Sequence, residues 1–258
     1  MWREEVLELR QQPSRQCVSG NSKIKVSIVS AYYDNAEMTR FMADWYNRFS
    51  TETREMIELV LVDDGSQKAP LASLDLRLNL PHQLYRIRRD IPWNQDGARN
   101  IGCHHARGPW LLLTDADHVF EEAEVRKAIE LERPDKPYLM LRKHLDGSEY
   151  INPHINSFLM SKTRYWEIGG YDEIYRGHYG SDKFFLSRVF SKKNRPVFPI
   201  CASLVEPDRI ADASTTSYSR KRGRRSRWGR RLIHCRKRLG LLPEVSLFLE
   251  DYELISAR

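Results

Sequence analysis

The first half of the chain alternates short apolar runs with longer stretches in which apolar residues recur every three or four positions. Residues 24–31 form a run rich in β-branched side chains, which is typical of a buried strand. The following segment has its apolar side chains at the spacing of one helix face, namely Met38, Phe41, Met42, Trp45, Tyr46 and Phe49. The pattern therefore predicts a strand followed by an amphipathic helix.

The same alternation continues to about residue 132. Further strands are predicted at 59–62, 84–88 and 110–114, and helices at 95–106 and 121–132. Alternating strands and helices favour an α/β fold, with a mostly parallel sheet flanked by helices on both faces. The second half is less regular, and there we expect strands at 138–141 and 156–160 and a helix at 182–190.

Composition and charge narrow the class of protein. The chain has 258 residues, of which 41% are hydrophobic and 30% charged, so it can bury a sizeable core and is not disordered throughout. The net charge is +7, but eleven of the 42 Lys and Arg residues lie in 220–238, where no Asp or Glu occurs. The remaining 31 basic residues face 35 acidic ones. This distribution indicates a mildly acidic body with one basic segment, and it argues against a protein that coats nucleic acid.

The cysteines and the apolar content bear on the compartment. Cys17, Cys103, Cys201 and Cys235 lie far apart with no CxxC pair, which favours reduced thiols over a zinc site or a disulfide framework. Residues 1–10 carry three glutamates and lack the apolar core of a signal peptide. No stretch approaches the roughly 18–20 apolar residues that span a bilayer. We therefore expect a cytoplasmic protein that is not secreted, with peripheral membrane association left open.

Two acidic clusters follow apolar runs, at the predicted ends of strands. Asp115 and Asp117 flank Ala116 after the strand at 110–114, and Asp63 and Asp64 precede a Gly-Ser pair after the strand at 59–62. In parallel sheets, ligands bind beyond the carboxyl ends of the strands. Two carboxylates spaced in this way can both approach Mg²⁺ or Mn²⁺, and a carboxylate in the other cluster can accept hydrogen bonds from a base or ribose. The alternative is a pair of solvated turns.

Two glycine-bearing segments add candidate chemistry. Residues 96–102 open a helix, and Arg99 within them is placed to pair with a phosphate; the alternative is an ordinary helix start with a surface arginine. Residues 169–182 combine glycines with aromatic rings, which suits a platform for a sugar. The platform residues are Gly170, Tyr171, His178 and Tyr179. Asp182 ends this segment, either as a general base or as the N-cap of a helix.

Together, in this order, the segments at 26–35, 63–66, 97–102 and 115–117 resemble GT-A glycosyltransferases, especially glycosyltransferase family 2. The resemblance covers roughly residues 23–205. Residues 169–182 are similar to the C-terminal, acceptor-side part of galactosyltransferase-like enzymes. The resemblance implies a Rossmann-like GT-A domain at 23–210, preceded by a lead-in at 1–22 and followed by a basic, helical C-terminal extension at 211–258.

The resemblance also implies an activity and a set of site residues. It implies a metal-dependent, inverting transfer of a hexosyl or N-acetylhexosaminyl group from a nucleotide-diphosphate sugar to an acceptor hydroxyl, with Mn²⁺ or Mg²⁺ as cofactor. The hydroxyl would belong to a glycan, a lipid-linked glycan or a modified nucleic acid base. The implied roles are nucleobase binding for Ala31, Tyr33 and Asp64, diphosphate binding for Arg99, ribose or sugar and metal binding for Asp115, metal binding for Asp117, and general base for Asp182.

The sequence departs from the family pattern at two points. Ser181 replaces the first acid of the family's Glu-Asp pair, and no histidine lies between Tyr179 and Ile233 to serve as a further metal ligand. The candidates for this further metal ligand are instead Glu206, Asp208 or His118. A non-catalytic module that binds nucleotide sugars or nucleic acid therefore stays open. A nucleotidyltransferase is disfavoured, because residues 32–35 are not a glycine-rich phosphate loop.

The basic segment has three interpretations. Apolar residues at 228, 232, 235, 239 and 242 form one stripe of a basic helix. Such a helix can lie on an anionic membrane, or it can bind DNA or RNA with Trp228 stacking on a base. Alternatively, Trp228, Leu232 and Leu239 pack on the domain and the arginines are solvated.

Overall fold

The computed structural model describes residues 23–131, 136–178, 180–190, 197–205, 210, 222–247 and 250–258. The predicted lead-in at 1–22 lies outside these residues. Within them the strands are Val26–Tyr32 (β1), Ile57–Asp63 (β2), His82–Ile87 (β3), Trp110–Thr114 (β4), His118–Val119 (β5), Tyr138–His144 (β6), Tyr150–Ser161 (β7), Cys201–Leu204 (β8) and Tyr252–Ala257 (β9).

The helices follow the predicted alternation through the first half of the chain. They are Ala36–Asn47 (α1), Thr51–Met56 (α2), Gln95–His105 (α3), Glu122–Glu130 (α4), Lys162–Glu167 (α5), Asp182–Val189 (α6) and Arg222–Arg238 (α7), with 3₁₀ turns at Leu71–Ser73 and Glu173–Tyr175. The strand at 110–114 has the predicted bounds, whereas α2, α5, β5, β8 and β9 were not predicted from the sequence.

The described strands form one mixed sheet in the order β5-β8-β6-β7-β4-β1-β2-β3-β9. Its centre, β4-β1-β2-β3, is parallel, and β7 and β9 border this centre in antiparallel orientation. The predicted α/β fold of the GT-A type, with a mostly parallel sheet flanked by helices, is confirmed. The parallel centre brings the carboxyl ends of β1, β2 and β4 to one edge of the sheet, where ligands bind in folds of this kind.

The central strands are apolar throughout because both faces of the sheet are covered. In β1, Ile28 packs in the cluster that includes Met38 and Met42 of α1, whereas the next residue, Val29, packs in the cluster that includes Ile101 of α3. Alternate residues of a strand point to opposite faces, so a strand covered on both sides needs apolar residues at successive positions. This burial explains why these strands were readable as short apolar runs.

Helix α3 lies unusually close to the sheet, and a glycine permits the approach. A Cβ atom on Gly102 would come within 2.6 Å of Val29 Cγ1 and 3.3 Å of Val62 Cγ2. Residue 102 therefore has room for no side chain. This contact fixes the position of the first turn of α3, which carries the polar residues described below.

The amino-terminal edge of the sheet contains a buried carboxylate that is fully paired. Glu58 in β2 accepts hydrogen bonds from Ser27 Oγ at 2.5 Å, Gln83 Nε2 at 3.1 Å and Arg107 Nε at 2.6 Å. Arg107 in turn donates to the carbonyl of Arg258 at 2.9 Å. A buried charge is tolerated only when it is paired and hydrogen-bonded, and Glu58 meets this condition at the end of the sheet opposite the candidate site.

The C-terminal strand belongs to the same sheet as the first half of the chain. β9 pairs with β3 in antiparallel orientation, with Ile87 opposite Tyr252 and Gln83 opposite Ala257. The segment expected as a separate extension at 211–258 thus returns to the edge of the sheet. This pairing could not be predicted from the sequence, because it joins segments about 170 residues apart that carry only a short alternating pattern.

Candidate active site

The turn after β2 contains two successive aspartates. The first stabilises the turn, and the second is available to bind a ligand. Asp63 accepts hydrogen bonds from the backbone N–H groups of Ser66 and Leu71, each at 2.8 Å, so its carboxylate is used within the turn. Asp64 follows and is buried, with Oδ2 accepting from the N–H of Asn94 at 3.1 Å. Its Oδ1 is buried without a hydrogen-bond partner among the described residues. Burial raises the pKa of Asp64 well above its ordinary value.

The loop after β3 closes over the ends of β1 and β2. Tyr33 Oη lies 3.3 Å from Asp90 Oδ1, and a Cβ on Gly65 would come within 2.7 Å of Asp90 Cα. Gly65 has φ +78°, a left-handed conformation that glycine adopts without strain. Ala31, Tyr33 and Asp64, predicted as a nucleobase site, thus lie at neighbouring strand ends, with Ala31 directly opposite Val62 in the register.

Arg99 joins two acidic residues that are far apart in the sequence. Its guanidinium donates to Asp115 Oδ1 and to Tyr171 Oη at 3.0 Å, and Nη1 lies 3.6 Å from Asp182 Oδ1. The side chain is 0% exposed. Burial would lower the pKa of Arg99, but Tyr171, Asp115 and Asp182 outweigh burial and raise it. The guanidinium is thus a permanent buried charge that positions both aspartates.

The burial of Arg99 corrects one expectation. A direct contact between Arg99 and a diphosphate requires an accessible guanidinium, and this one is enclosed and committed to protein partners. Its role is to position Asp115 and Asp182, which hold the acidic side of the site.

Asp115 is held by three side chains. Besides Arg99, Asn156 Nδ2 donates to Oδ2 at 2.9 Å, and His154 Nε2 lies 3.3 Å from the same oxygen. Burial would raise the pKa of Asp115, but Arg99, His154 and Asn156 outweigh burial and hold it well below its usual range. Asn156 reaches Asp115 because β7 pairs with β4 in antiparallel register, with Phe158 opposite Leu113.

Asp117 is exposed to about the same extent as Asp115, 24% against 28% for the side chains, but it contacts fewer of the described side chains. Its Oδ1 lies 2.7 Å from Nδ1 of His118, whose ring stacks on that of His154 at 3.9 Å. Within the part of the chain that the structure describes, no group of three or more His, Cys, Asp or Glu side chains is arranged to hold a metal ion. The suggested substitute ligands Glu206 and Asp208 lie outside the described residues.

The donor set at this strand end fits a divalent cation only in part. A cation bound chiefly by substrate phosphates needs one or two protein carboxylates, and Asp117 meets that need. The oxygens of Asp115 are already paired with Arg99, Asn156 and His154, which argues against the predicted second ligand. The structure therefore supports Asp117 as the single described carboxylate that a phosphate-bound cation would use.

Asp182 begins α6 in a buried position beside Arg99. Gln95 Nε2 donates to its Oδ1 at 3.1 Å. Burial raises the pKa of Asp182, and Arg99 opposes this shift without cancelling it. A carboxylate whose pKa is raised is a better proton acceptor than an ordinary aspartate, which is the property a general base requires.

A second buried acid lies close to Asp182 and was not predicted from the sequence. Asp96, in the first turn of α3, has an Oδ1 atom without a partner among the described residues. Burial, together with the charge of Asp182, raises the pKa of Asp96 to about 8, against the effects of a hydrogen bond from Ser181 and of Arg99. Asp96 is thus neutral near pH 7. Ser181, which replaces an acid of the family pattern, faces this carboxyl group.

The prediction of a sugar platform is wrong for Tyr171, one of its main residues. The Tyr171 ring is buried, stacked on Phe185 at 3.9 Å, with the Arg99 guanidinium 5.1 Å from its centroid. Neither face is free for a sugar. Gly170 packs against Asn100, since a Cβ there would lie 2.7 Å from Asn100 Oδ1.

Of the two remaining residues predicted for the sugar platform, the structure describes only His178. His178 is partly buried against α7, where a Cβ on Gly229 would lie 2.1 Å from its Cε1 atom. Burial and the charge of Arg230 lower the pKa of His178. Tyr179 lies outside the described residues. Four residues of the site were not predicted from the sequence, namely His154, Asn156, Gln95 and Asp96. Only the register between β4 and β7 would have indicated the first two.

Comparisons with known proteins bear on this site. The family model for glycosyl transferase family 2 matches residues 27–189, which include β1, the ends of β2 and β4, α3 and Asp182. The chain is 30% identical over 93 residues to dolichol-phosphate mannosyltransferase of Saccharomyces cerevisiae, covering 35% of this chain and 34% of that protein. It is 28% identical over 137 residues to a dolichyl-phosphate β-glucosyltransferase of Trichomonas vaginalis, covering 48% and 40%. The chain thus spans 34–40% of the length of these curated relatives.

A solved structure shows the same fold. A mannosyltransferase from Pyrobaculum calidifontis, determined with GDP-mannose and Mn²⁺, superposes with a TM-score of 0.52 at 15% identity, over 80% of this chain and 65% of that one. At this identity the likeness concerns the fold alone.

Proposed function

Because the chain belongs to glycosyl transferase family 2, we propose that it transfers a sugar from a nucleotide-diphosphate donor to an acceptor hydroxyl, with inversion at the anomeric carbon. The proposal rests on one observation. A single buried guanidinium, that of Arg99, contacts Asp115 at the end of β4 and lies 3.6 Å from Asp182 at the start of α6. Arg99 therefore connects the residue proposed to hold the donor, Asp115, with the residue proposed to activate the acceptor, Asp182.

The nucleobase end of the donor lies at the ends of β1 and β2 in this proposal. Asp64 supplies a buried carboxyl group whose Oδ1 has no partner within the described residues. An unpaired buried polar atom is costly, and a ligand that hydrogen-bonds to it recovers that cost. Ala31 in β1, and Tyr33 just beyond the end of that strand, flank the same position.

In this proposal the diphosphate lies near Asp117, whose side chain is 24% exposed. A divalent cation bound at Asp117 would neutralise the charge that develops on the leaving diphosphate. Asp115 keeps its place through Arg99, His154 and Asn156, so its charge is fixed before the donor binds. A carboxylate fixed in this way can accept hydrogen bonds from the hydroxyl groups of the ribose or donor sugar without reorganising during the reaction.

Asp182 accepts the proton of the acceptor hydroxyl as that oxygen attacks the anomeric carbon. Its raised pKa makes it a better base than an ordinary aspartate, and Gln95 orients its Oδ1. Attack from the face opposite the diphosphate gives the inverted product. The dolichol-phosphate relatives support a lipid-linked acceptor as one candidate class, beside glycans.

A panel of nucleotide sugars with Mn²⁺ tests the proposal. We expect at least one donor to raise the melting temperature, because a ligand that binds only the folded state stabilises it. We also expect release of nucleoside diphosphate from that donor, with loss of release in chelator and in Asp117→Ala. Asp44→Asn, which changes an exposed aspartate on α1, is the control. Binding of a donor without any release would instead indicate a non-catalytic module, and no binding would contradict the proposal.

A further inference from the structure

Helix α7 is fixed to the protein along one face. Arg230 donates to the carbonyl of Gly180, and Lys237 donates to Asp172 and to the carbonyls of Pro243 and Glu244 at 2.9 and 2.7 Å. The ring of His234 stacks on that of Phe184 at 5.5 Å. The helix is therefore held in a defined orientation against residues 172–184.

The opposite face of α7 exposes its apolar side chains. Trp228 is 72% exposed, Leu232 61% and Leu239, just beyond the helix, 72%. At roughly 100° per residue, these three side chains lie within an arc of about 40°. The expectation that they pack on the domain is therefore wrong, because the docked face of α7 is formed by Arg230 and Lys237 instead.

Cations border this apolar face on both sides. Arg227, Arg231 and Arg238 lie along one side of the stripe and Arg236 along the other, all exposed. The guanidinium of Arg231 lies 5.8 Å from the Trp228 ring. No acidic residue occurs in the 17 residues of the helix. The face thus combines an apolar centre with a positive rim.

We propose that α7 binds the surface of an anionic membrane, with Trp228, Leu232 and Leu239 entering the boundary between headgroups and acyl chains. Basic helices with an apolar stripe bind in this plane, and the arginines add attraction to anionic lipids. Among the described residues, no helix has the length and apolarity needed to cross a membrane.

The apolar side chains favour a membrane over a nucleic acid. Single-stranded nucleic acids are bound by cations together with aromatic rings that stack on bases. Here one aromatic ring stands among exposed leucines, which also include Leu241 at 63%. Aliphatic side chains gain little from phosphates or base faces, whereas each leucine that enters a bilayer removes apolar surface from water.

The orientation of α7 places the membrane beside the candidate active site. Lys237 binds Asp172, and Arg230 binds Gly180, two residues before Asp182. A membrane bound to α7 therefore lies near the acceptor side of the site. This inference goes beyond the proposed function and does not depend on it, since binding to lipid needs no turnover.

Vesicle flotation of the full chain tests the inference. We expect binding to vesicles made of equal parts phosphatidylcholine and phosphatidylglycerol, and little binding to phosphatidylcholine alone. Leu232→Ser should weaken partitioning roughly tenfold, the effect of removing one leucine from an apolar environment. The matched control is Leu254→Ser, which changes another exposed leucine, 55% exposed, on β9. Unchanged melting temperatures show that both variants fold.

Three results would overturn the inference. These are equal binding to neutral and anionic vesicles, equal loss in both leucine variants, and retention on single-stranded DNA at a salt concentration that abolishes vesicle binding. The last result would assign the helix to nucleic acid. None of these measurements involves sugar transfer, so failure here is distinct from failure of the proposed function.

Discussion

Asp96→Asn removes a buried acid whose cost to folding grows with pH. The carboxyl group of Asp96 is buried beside Asp182, and its Oδ1 has no partner among the described residues. Burial and Asp182 raise its pKa from 3.8 to about 8. The folded protein therefore keeps a proton between about pH 4 and pH 8 that the unfolded chain releases. The contribution of Asp96 to the free energy of unfolding is fully present below about pH 4 and is lost as the pH rises through about 8.

The size of the effect follows from the shift. One pKa unit corresponds to ~1.4 kcal/mol, so a shift of about four units amounts to on the order of 5 kcal/mol lost by pH 8. The asparagine variant has no proton to release. Its free energy of unfolding, relative to that of the wild type, should therefore rise by about 1.4 kcal/mol for each pH unit between about pH 5 and pH 7, and less steeply as the pH approaches 8.

Urea unfolding across this pH range measures the difference between the two proteins. Asp44→Asn, on the exposed surface of α1, is the matched control, and its curve should run parallel to that of the wild type. A constant difference between Asp96→Asn and the wild type from about pH 5 to pH 8 would refute the reasoning. It would show that Asp96 is already ionised in the folded protein.

Three further predictions concern the frame and the pH dependence of the site. Gly65→Ala should destabilise by more than Gly147→Ala in urea unfolding, since both glycines have positive φ but only Gly65 faces backbone at 2.7 Å; equal losses would contradict this. Glu58→Ala should cost about 3 kcal/mol in the same assay, because it leaves buried donors unpaired; a loss below about 1 kcal/mol would contradict it. Because burial raises the pKa of Asp182, the acidic limb of kcat/KM should lie above the ordinary range of an aspartate, with activity rising with pH; a limb near pH 4 would contradict it.

The central strands and helices could be predicted from the sequence because each has a characteristic local pattern of apolar residues. β1, β2 and β4 are covered on both faces, so each appears as a short apolar run, and α1 shows the spacing of one buried helix face. β8 and β9 were missed because they are short, lie at or near the edges and are defined by long-range pairing. Neither carries enough periodic pattern to be distinguished from a loop.

The sequence suggested acidic residues for the site but did not indicate what surrounds them. The positions of Asp64, Asp115 and Asp182 followed from strand ends and from the family pattern. Burial did not follow: Arg99 of α3 and Tyr171 were expected at the surface, yet both are buried, and Tyr171 stacks on Phe185 of α6. Asp96 also went unrecognised, because an acid in the first turn of a helix is ordinarily a solvated capping residue.

Nor did the sequence indicate which face of α7 is exposed. The stripe from Trp228 to Leu239 matches the pattern of a helix that packs on a core. The docking contacts come instead from Arg230 and Lys237 on the other side. Only the three-dimensional position of Asp172 and Gly180 decides between the two arrangements.

Asp182→Asn, assayed with the nucleotide sugar that the wild type uses, tests the central claim most directly. The measurement is the rate of nucleoside diphosphate release, alongside the affinity for the donor by calorimetry. We expect donor affinity to stay within a few-fold of the wild type, while the rate falls by roughly two to four orders of magnitude, the usual contribution of a positioned base. Turnover by Asp182→Asn at the wild-type rate would show that Asp182 is not the general base.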